Sequence, residues 1–349
     1  MESVQGKILM LSMWLKGMRF DFEEGSFSSL GGLLTLNPMA WEVTMSDRLK
    51  GMVLGSFIGD SLALGAHWIY DVDEIEHTLG RVDKLLKPLP GSYHPTKDAG
   101  DFTHYGDQAL WLLESIAESG KFDLDHFAAK WQKRFADYTG YYDHATKDTL
   151  KNFADGAAAA EAGSHSGDLS AAARTAPLAY RYRGDLDALL AAGRAQTAMT
   201  HNNPVILECT ELLGRIVHAV LNGAAPASAI AQQLEGPGLT DVLGGAIRNG
   251  LESLGTPSRE AILGFGQNCG ARAALPSVVH LVGKHQNDLR EALVENVMAG
   301  GDSAARGMAV GMILGAHLGM QAIPEEWLAG LKQRSRIEAL LQQIDIALP

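Results

Sequence analysis

A chain of 349 residues, 46% hydrophobic and 20% charged, is long enough to bury a sizeable core and has the composition of a globular protein. Its formal net charge of −12, with no basic patch, excludes a duplex-binding protein. The two cysteines, Cys209 and Cys269, exclude a disulfide framework and suit a reducing cytoplasm.

The first 44 residues differ from the rest. ILMLSMWLKGM is apolar but short and lacks a small-residue cleavage site, and GSFSSLGGLLTLNP reads as loop. Residues 1–44 are therefore expected to be a poorly ordered extension, or the product of a start assigned upstream of Met45.

From Met45 the apolar spacing is helical. It predicts helices over Lys50–Trp68, Asp107–Ser119, Leu124–Tyr138, Ser170–Arg183, Asp185–Thr200, Val205–Leu221, Pro226–Leu234, Leu239–Leu254, Asp288–Met298, Ala304–Leu318 and Ser335–Leu348. Pro226 suits a first helical position, where its missing N–H costs nothing. The alanine tracts Ala157–Ala162 and Ala171–Ala173 favour helix. Met308–Met320 is too short an apolar run to cross a bilayer. The expectation is one all-α, bundle-like domain over residues 45–349.

Two glycine stripes have four-residue spacing: Gly51, Gly55, Gly59 and Gly307, Gly311, Gly315. Glycine inside a helix costs about 1 kcal/mol against alanine. Three on one face imply that another backbone approaches closely, and the two stripes suit each other.

Polar groups at the ends of these stripes need an explanation. Asp60 sits in an otherwise apolar helix, where a carboxylate must be paired, either with a ligand or with a helix end. His67 and Trp68 follow it; a lone histidine there is either a core residue or functional. A long loop, Lys87–Thr103, rich in Pro, Gly and His, leads into Asp101, Thr103, His104, Tyr105 and Asp107. Thr103 and Asp107 are N-cap candidates, yet five such residues exceed what a cap needs. In the polar turns between helices, Arg174 could pair with a carboxylate or a phosphate, and His201 and Asn202 could meet a sugar or a phosphate, though Thr200 and Asn202 also make ordinary caps; Asn268 and Arg272 precede a later helix. GGDS, at Gly300–Ser303, puts Asp302 and Ser303 at a helix entrance, where Asp302 is a cap or a ligand. No GxSxG, HExxH or phosphate-loop motif occurs.

In this order GSFIGDSLALG, THYGDQALWLLESI, ARTAPLA, THNNP, ALPSVVH and EALVENVMAGGDSAARGMAVGMILGA resemble the ADP-ribosylglycohydrolase superfamily, which includes the dinitrogenase-reductase-activating glycohydrolases. The resemblance spans about residues 48–330. It implies an orthogonal all-α bundle that hydrolyses the glycosidic bond between ADP-ribose and a protein side chain or small acceptor, usually with two magnesium or manganese ions. Such a bond breaks through an oxocarbenium-like state that carboxylates stabilise, while hard cations orient hydroxyls and activate water.

The sequence departs from the family pattern at the metal. The family's Thr-Asp-Asp segment is Thr103, His104, Tyr105 here, and its Asp-x-Asp-Thr segment is Asp302, Ser303, Ala304, Ala305. Only Thr103 and Asp302 remain of the six usual ligands. With HWIYD at His67–Asp71, this pattern is similar to the branch of the J-crystallins and selenoprotein J.

Two readings follow. In the first, the protein is a hydrolase of ADP-ribosyl or related N- or O-glycosidic bonds. Asp60, Asp107 and Asp302 supply carboxylates, His67 or His104 acts as acid or base, and Arg174, His201, Asn202, Asn268 and Ser303 bind substrate. It uses one magnesium or manganese ion, at Thr103, His104 and Asp302, or none; alternatively His104, Asp107 and Asp302 make a mixed site for a transition metal. In the second, the fold is a non-catalytic nucleotide binder or a structural, crystallin-like protein. Neither reading involves nucleic acid or membrane; the partner is an ADP-ribose-containing small molecule or an ADP-ribosylated protein.

Overall fold

Helices take up most of the chain in a computed structural model that describes residues 43–236 and 239–348. The expected disorder of residues 1–44 falls, for 1–42, outside the described residues. Thr44 is the N-cap of the first helix: its hydroxyl accepts the Asp47 N–H at 3.1 Å, and the Asp47 carboxylate takes the Thr44 N–H at 3.3 Å. Met45 therefore opens a helix whose cap lies one residue upstream of it.

Met45–Ala63, His104–Ser119, Leu124–Ala136, Leu186–Thr200, Pro204–Leu221, Asp241–Glu252, Leu289–Met298, Ser303–Leu318 and Arg334–Ile346 lie where the apolar spacing puts helices. Pro226 occupies the first turn of Pro226–Gln232. Among the described residues there is no strand, only isolated bridges joining Ser164 to His201 and Asp168 to Gly270.

Two expectations fail for identifiable reasons. Ser170–Arg183 is two short helices, Ser170–Ala173 and Ala176–Arg181. Pro177, which opens the second, has no N–H to continue the first. Ala157–Ala162 is not helical. Gly156, at φ 92°, ends the preceding helix, and the chain then turns so that Gly163 and Ser164 lie against Ala198 and Thr200. Tertiary pairing outweighs alanine's propensity there. Val72–Leu79 escapes the periodicity because it buries only Ile75. His144–Ala154, with its core face of Ala145, Thr146 and Thr149, escapes it for the same reason.

The two glycine stripes face each other. A Cβ at Gly51 would stand 2.7 Å from the Gly315 carbonyl oxygen, and one at Gly307 would stand 2.5 Å from that of Gly59. Gly55 meets Gly311 in the same way. Each four-residue step forward on Met45–Ala63 matches a step back on Ser303–Leu318, so the helices run antiparallel with backbones in contact. Continuing that register brings the end of the first helix level with the start of the second. The segment Met45–Ala66 has the length and hydropathy of a membrane span, yet 94% of its apolar window is buried inside the protein, so it is a core helix.

Gly307→Ala is expected to destabilise the fold by about 3 kcal/mol or more, because the new methyl meets backbone that cannot rotate away. Urea denaturation checks this; a loss below about 1 kcal/mol would show that the crossing relaxes freely.

Candidate active site

The glycine register delivers His67 and Trp68 to the GGDS turn. Trp68 has φ 66°, the one left-handed non-glycine residue among those described, a conformation that costs about 1 kcal/mol or more. Its N–H donates to the Gly301 carbonyl at 2.9 Å, and the Gly301 N–H donates to that of Ile69 at 2.7 Å. Gly300 and Gly301 are both left-handed, at φ 69° and 67°. The buried Arg306 holds the turn from within, donating to the Gly300 carbonyl at 2.6 Å and to the Asn296 side chain at 3.0 Å.

Asp302 is fully buried and makes no capping bond to its helix. One carboxylate oxygen, Oδ2, accepts the Tyr105 hydroxyl at 2.9 Å and the Trp68 indole N–H at 3.2 Å. The other, Oδ1, has no hydrogen-bond partner, and neither has the neighbouring Ser303 hydroxyl. Burial raises the Asp302 pKa against the lowering pull of Trp68 and Tyr105. The cap reading of Asp302 is thus removed.

Asp60 and Thr103 form the frame beneath the turn. The Asp60 carboxylate accepts the Thr103 N–H at 2.8 Å, the Thr103 hydroxyl at 2.5 Å and the Gly106 N–H at 3.1 Å. It thereby ties the first helix to the N-terminus of His104–Ser119. The Thr103 hydroxyl also accepts the Tyr105 N–H at 3.1 Å. Both side chains are therefore engaged in structure, and a catalytic Asp60 or a metal-binding Thr103 would have to break these bonds. Asp107 is also taken up: it pairs with Lys97, accepts the Tyr138 hydroxyl at 2.5 Å, and lines a cavity of about 630 Å³ with Lys130, Lys133 and Arg134.

His67 and His104 meet a third histidine, His94, and all three are buried. The His67 and His94 rings lie 5.3 Å apart, the His94 and His104 rings 5.6 Å. Burial holds the His67 pKa well below 6.5, which favours the neutral ring. Burial likewise pushes His94 down to about 3. Over the histidines lie Trp68, Tyr93 and Tyr141. Trp68 stacks on His67 at 4.4 Å and meets Tyr93 and Tyr141 edge-on at 5.0 and 4.9 Å.

A second cluster centres on Asp168. His201 Nε2 lies 3.0 Å from the carboxylate, and the Ser170 and Ser166 hydroxyls donate to it at 2.5 and 2.6 Å. Burial alone would raise the Asp168 pKa; His201 and the serines outweigh it and hold it below the usual range. His201 Nδ1 also reaches the Thr200 hydroxyl at 3.0 Å. Arg174 donates to that hydroxyl at 2.5 Å and to the Gln108 side-chain oxygen at 2.7 Å. It is only 1% exposed, and both of these partners are uncharged. Asn202 lines a cavity of about 630 Å³ with Asp148, Ser164 and His165. Asn268 lines another of about 460 Å³ with Asn203, Gly270 and Arg272. Segment 163–168 contributes to both walls.

Sequence reasoning missed His94, Asp143 and Asp168. His94 lies in a histidine-bearing loop with no periodicity. Asp168 carried one signal, a serine two residues to either side, which matches the bonds it accepts.

The profile of the ADP-ribosylglycohydrolase family matches residues 42–348. An uncharacterised protein of Archaeoglobus fulgidus is 25% identical, covering 86% of this chain and 96% of that protein. Crystallin J1A of Tripedalia cystophora is 20% identical, covering 85% and 96%. The ADP-ribosylarginine hydrolase Tri1 of Pseudomonas putida is 24% identical, covering 85% and 78%. A solved ADP-ribosylglycohydrolase-related protein complex has a chain 25% identical with a TM-score of 0.70, covering 87% of this chain and 99% of that one.

The buried Asp60 sets a pH dependence of stability. Burial pushes its carboxyl up to about 6 from an ordinary 3.8, while the Thr103 bonds pull the other way. A raised folded pKa contributes stability at low pH that is lost as pH rises through the folded value. From about pH 4 to about pH 7 the wild type should therefore lose about 2 kcal/mol relative to Asp60→Asn, whose side chain does not titrate. Urea titrations of both proteins at the two pH values check the sign.

Proposed function

The chain belongs to the ADP-ribosylglycohydrolase family, and from that premise we propose that it hydrolyses an N- or O-glycosidic bond of ADP-ribose or a related nucleotide-sugar conjugate. The observation that carries this reading is the buried Asp302 carboxylate with one oxygen unpartnered. Leaving such an oxygen unsatisfied costs about 1–3 kcal/mol or more, which a fold retains where a ligand completes it.

Water adds its hydroxide to the anomeric carbon, the bond to the acceptor atom breaks, and the remaining proton ends on the leaving group. Asp302 is positioned to take that proton from water and to face the positive charge that develops on the sugar. Its raised pKa favours the first task. Ser303 is the matching donor, with its hydroxyl also unpartnered. His201 has both ring nitrogens engaged, so it orients Asp168 and the adjoining walls. Asn202 and Asn268, on the two flanking cavities, are placed to bind the nucleotide part. Tyr93, at 55% exposed, is the outermost ring of the aromatic cover and gives way on substrate entry.

The family's magnesium or manganese pair does not fit this donor set. Hard cations take six or more oxygens. Here the Thr103 hydroxyl is engaged by Asp60, His104 and Tyr105 stand in carboxylate positions, and Ala304 and Ala305 offer no side-chain oxygen. No step is therefore routed through such ions. The same alanines favour the second reading, a nucleotide binder or crystallin-like protein on the family fold.

Release of ADP-ribose from ADP-ribosylated arginine, ADP-ribosylated serine and acetylated ADP-ribose tests the proposal. Asp302→Asn keeps an acceptor for Tyr105 and Trp68, so it should fold, and kcat/KM should fall by about 10³-fold. ADP-ribose binding by calorimetry with no turnover of any conjugate would reject the hydrolase in favour of the binder.

A further inference from the structure

We propose that His67, His94 and His104 bind one divalent transition ion of the zinc class. The three rings come from separate parts of the chain: the end of the 3-10 turn Leu64–Ala66, the loop before Phe102, and the first residue of His104–Ser119. They are 3%, 1% and 0% exposed, and one nitrogen from each lies within 4.8 Å of those of the other two.

None of the six ring nitrogens makes a hydrogen bond of good geometry. A buried imidazole left without partners is destabilising, because its nitrogens have given up water and gained nothing. Three such rings converging on one point require a shared ligand, and a cation that accepts lone pairs serves all three at once. Tetrahedral zinc with bonds of about 2.0–2.1 Å needs nitrogens about 3.3 Å apart, which modest side-chain rotation supplies.

The surroundings match a metal site of this class. His104 Nε2 lies 3.2 Å from the Asp143 carboxylate, the arrangement by which an outer carboxylate fixes a ligating imidazole and turns its other nitrogen to the metal. The loop that carries His94 is pinned by its N–H on the Ser92 hydroxyl at 3.2 Å and by its carbonyl on the Lys97 N–H at 3.1 Å. Lys97, whose charge acts on His94, is paired with Asp107. Imidazole donors select zinc, cobalt or nickel over magnesium. Three protein ligands leave a fourth position open, as in sites where a metal holds water or substrate. Asp302 is one indole away: Trp68 stacks on His67 and donates to Asp302.

This site stands independently of the hydrolase reading, because its test needs no substrate. Tag-free full-length protein, stripped with a chelator, is titrated with zinc by calorimetry and with cobalt by visible absorption. The expected result is one equivalent of zinc and an intense cobalt band of low coordination number, with no uptake of magnesium. His94→Gln, in a loop whose backbone bonds it leaves intact, should abolish the cobalt band. Asp143→Asn should weaken zinc binding about 10- to 100-fold while keeping one equivalent. Absence of a one-equivalent zinc isotherm in the wild type, or an unchanged cobalt band in His94→Gln, would overturn the proposal.

Discussion

Everything at the centre of this protein depends on two helices that touch backbone to backbone. The glycines of Met45–Ala63 and Ser303–Leu318 leave no room for a Cβ at the crossing. Because the helices are antiparallel, close approach also fixes their ends. The residues that follow the first helix, His67 and Trp68, must meet those that precede the second, Gly300 to Asp302. The exchange of hydrogen bonds between Trp68, Ile69 and Gly301 closes that meeting, at the price of a left-handed tryptophan. Arg306 then secures the turn from one helical turn further on.

Around that junction a frame of backbone and carboxylate bonds carries nitrogen and phenol side chains. Asp60 still fastens Thr103 and Gly106, so the N-terminus of His104–Ser119 is held as firmly as a metal-bearing segment would need. The side chains projecting from it are an imidazole and a phenol. The phenol of Tyr105 reaches Asp302, so a hydrogen bond spans the two segments that the family joins through cations. The nitrogen donors there are borderline rather than hard, and Trp68 stacks on His67 and lies tilted against His104.

Much of the fold was legible because its signals are local and repeated. Helical spacing marks the long helices, and the paired glycine stripes signal a backbone contact in the sequence itself. Asp302 at the junction was legible too, though its role was not: a carboxylate at a helix entrance resembles a cap, and only the third dimension reveals that it turns to Tyr105 and Trp68 instead. Arg174 stands in a polar turn that suggests an anion, and its hydrogen bonds to Gln108 and Thr200 could be read only from the fold. His94 and Asp143 were illegible for a different reason. Each reaches the centre from a loop by contacts distant in sequence, and no periodicity encodes such a contact. The tract Ala157–Ala162 fails because its propensity is weaker than the demands of pairing Ser164 with His201.

Three buried carboxylates lie around this centre, and their charges are compensated to different degrees. Asp168 is matched by His201 and two serine hydroxyls. Asp143 is matched by His104, whose influence outweighs burial and lowers its pKa. Asp302 has only neutral donors, a phenol and an indole, and it feels the repulsion of Asp168; Arg306 lowers its pKa least among the groups around it. Its charge is therefore the least compensated of the three. A cationic transition state placed against it gains more than one placed against either neighbour, since opposite charges interact strongly where water is excluded. The stabilisation withheld from Asp302 in the resting protein is what a sugar oxocarbenium ion would supply.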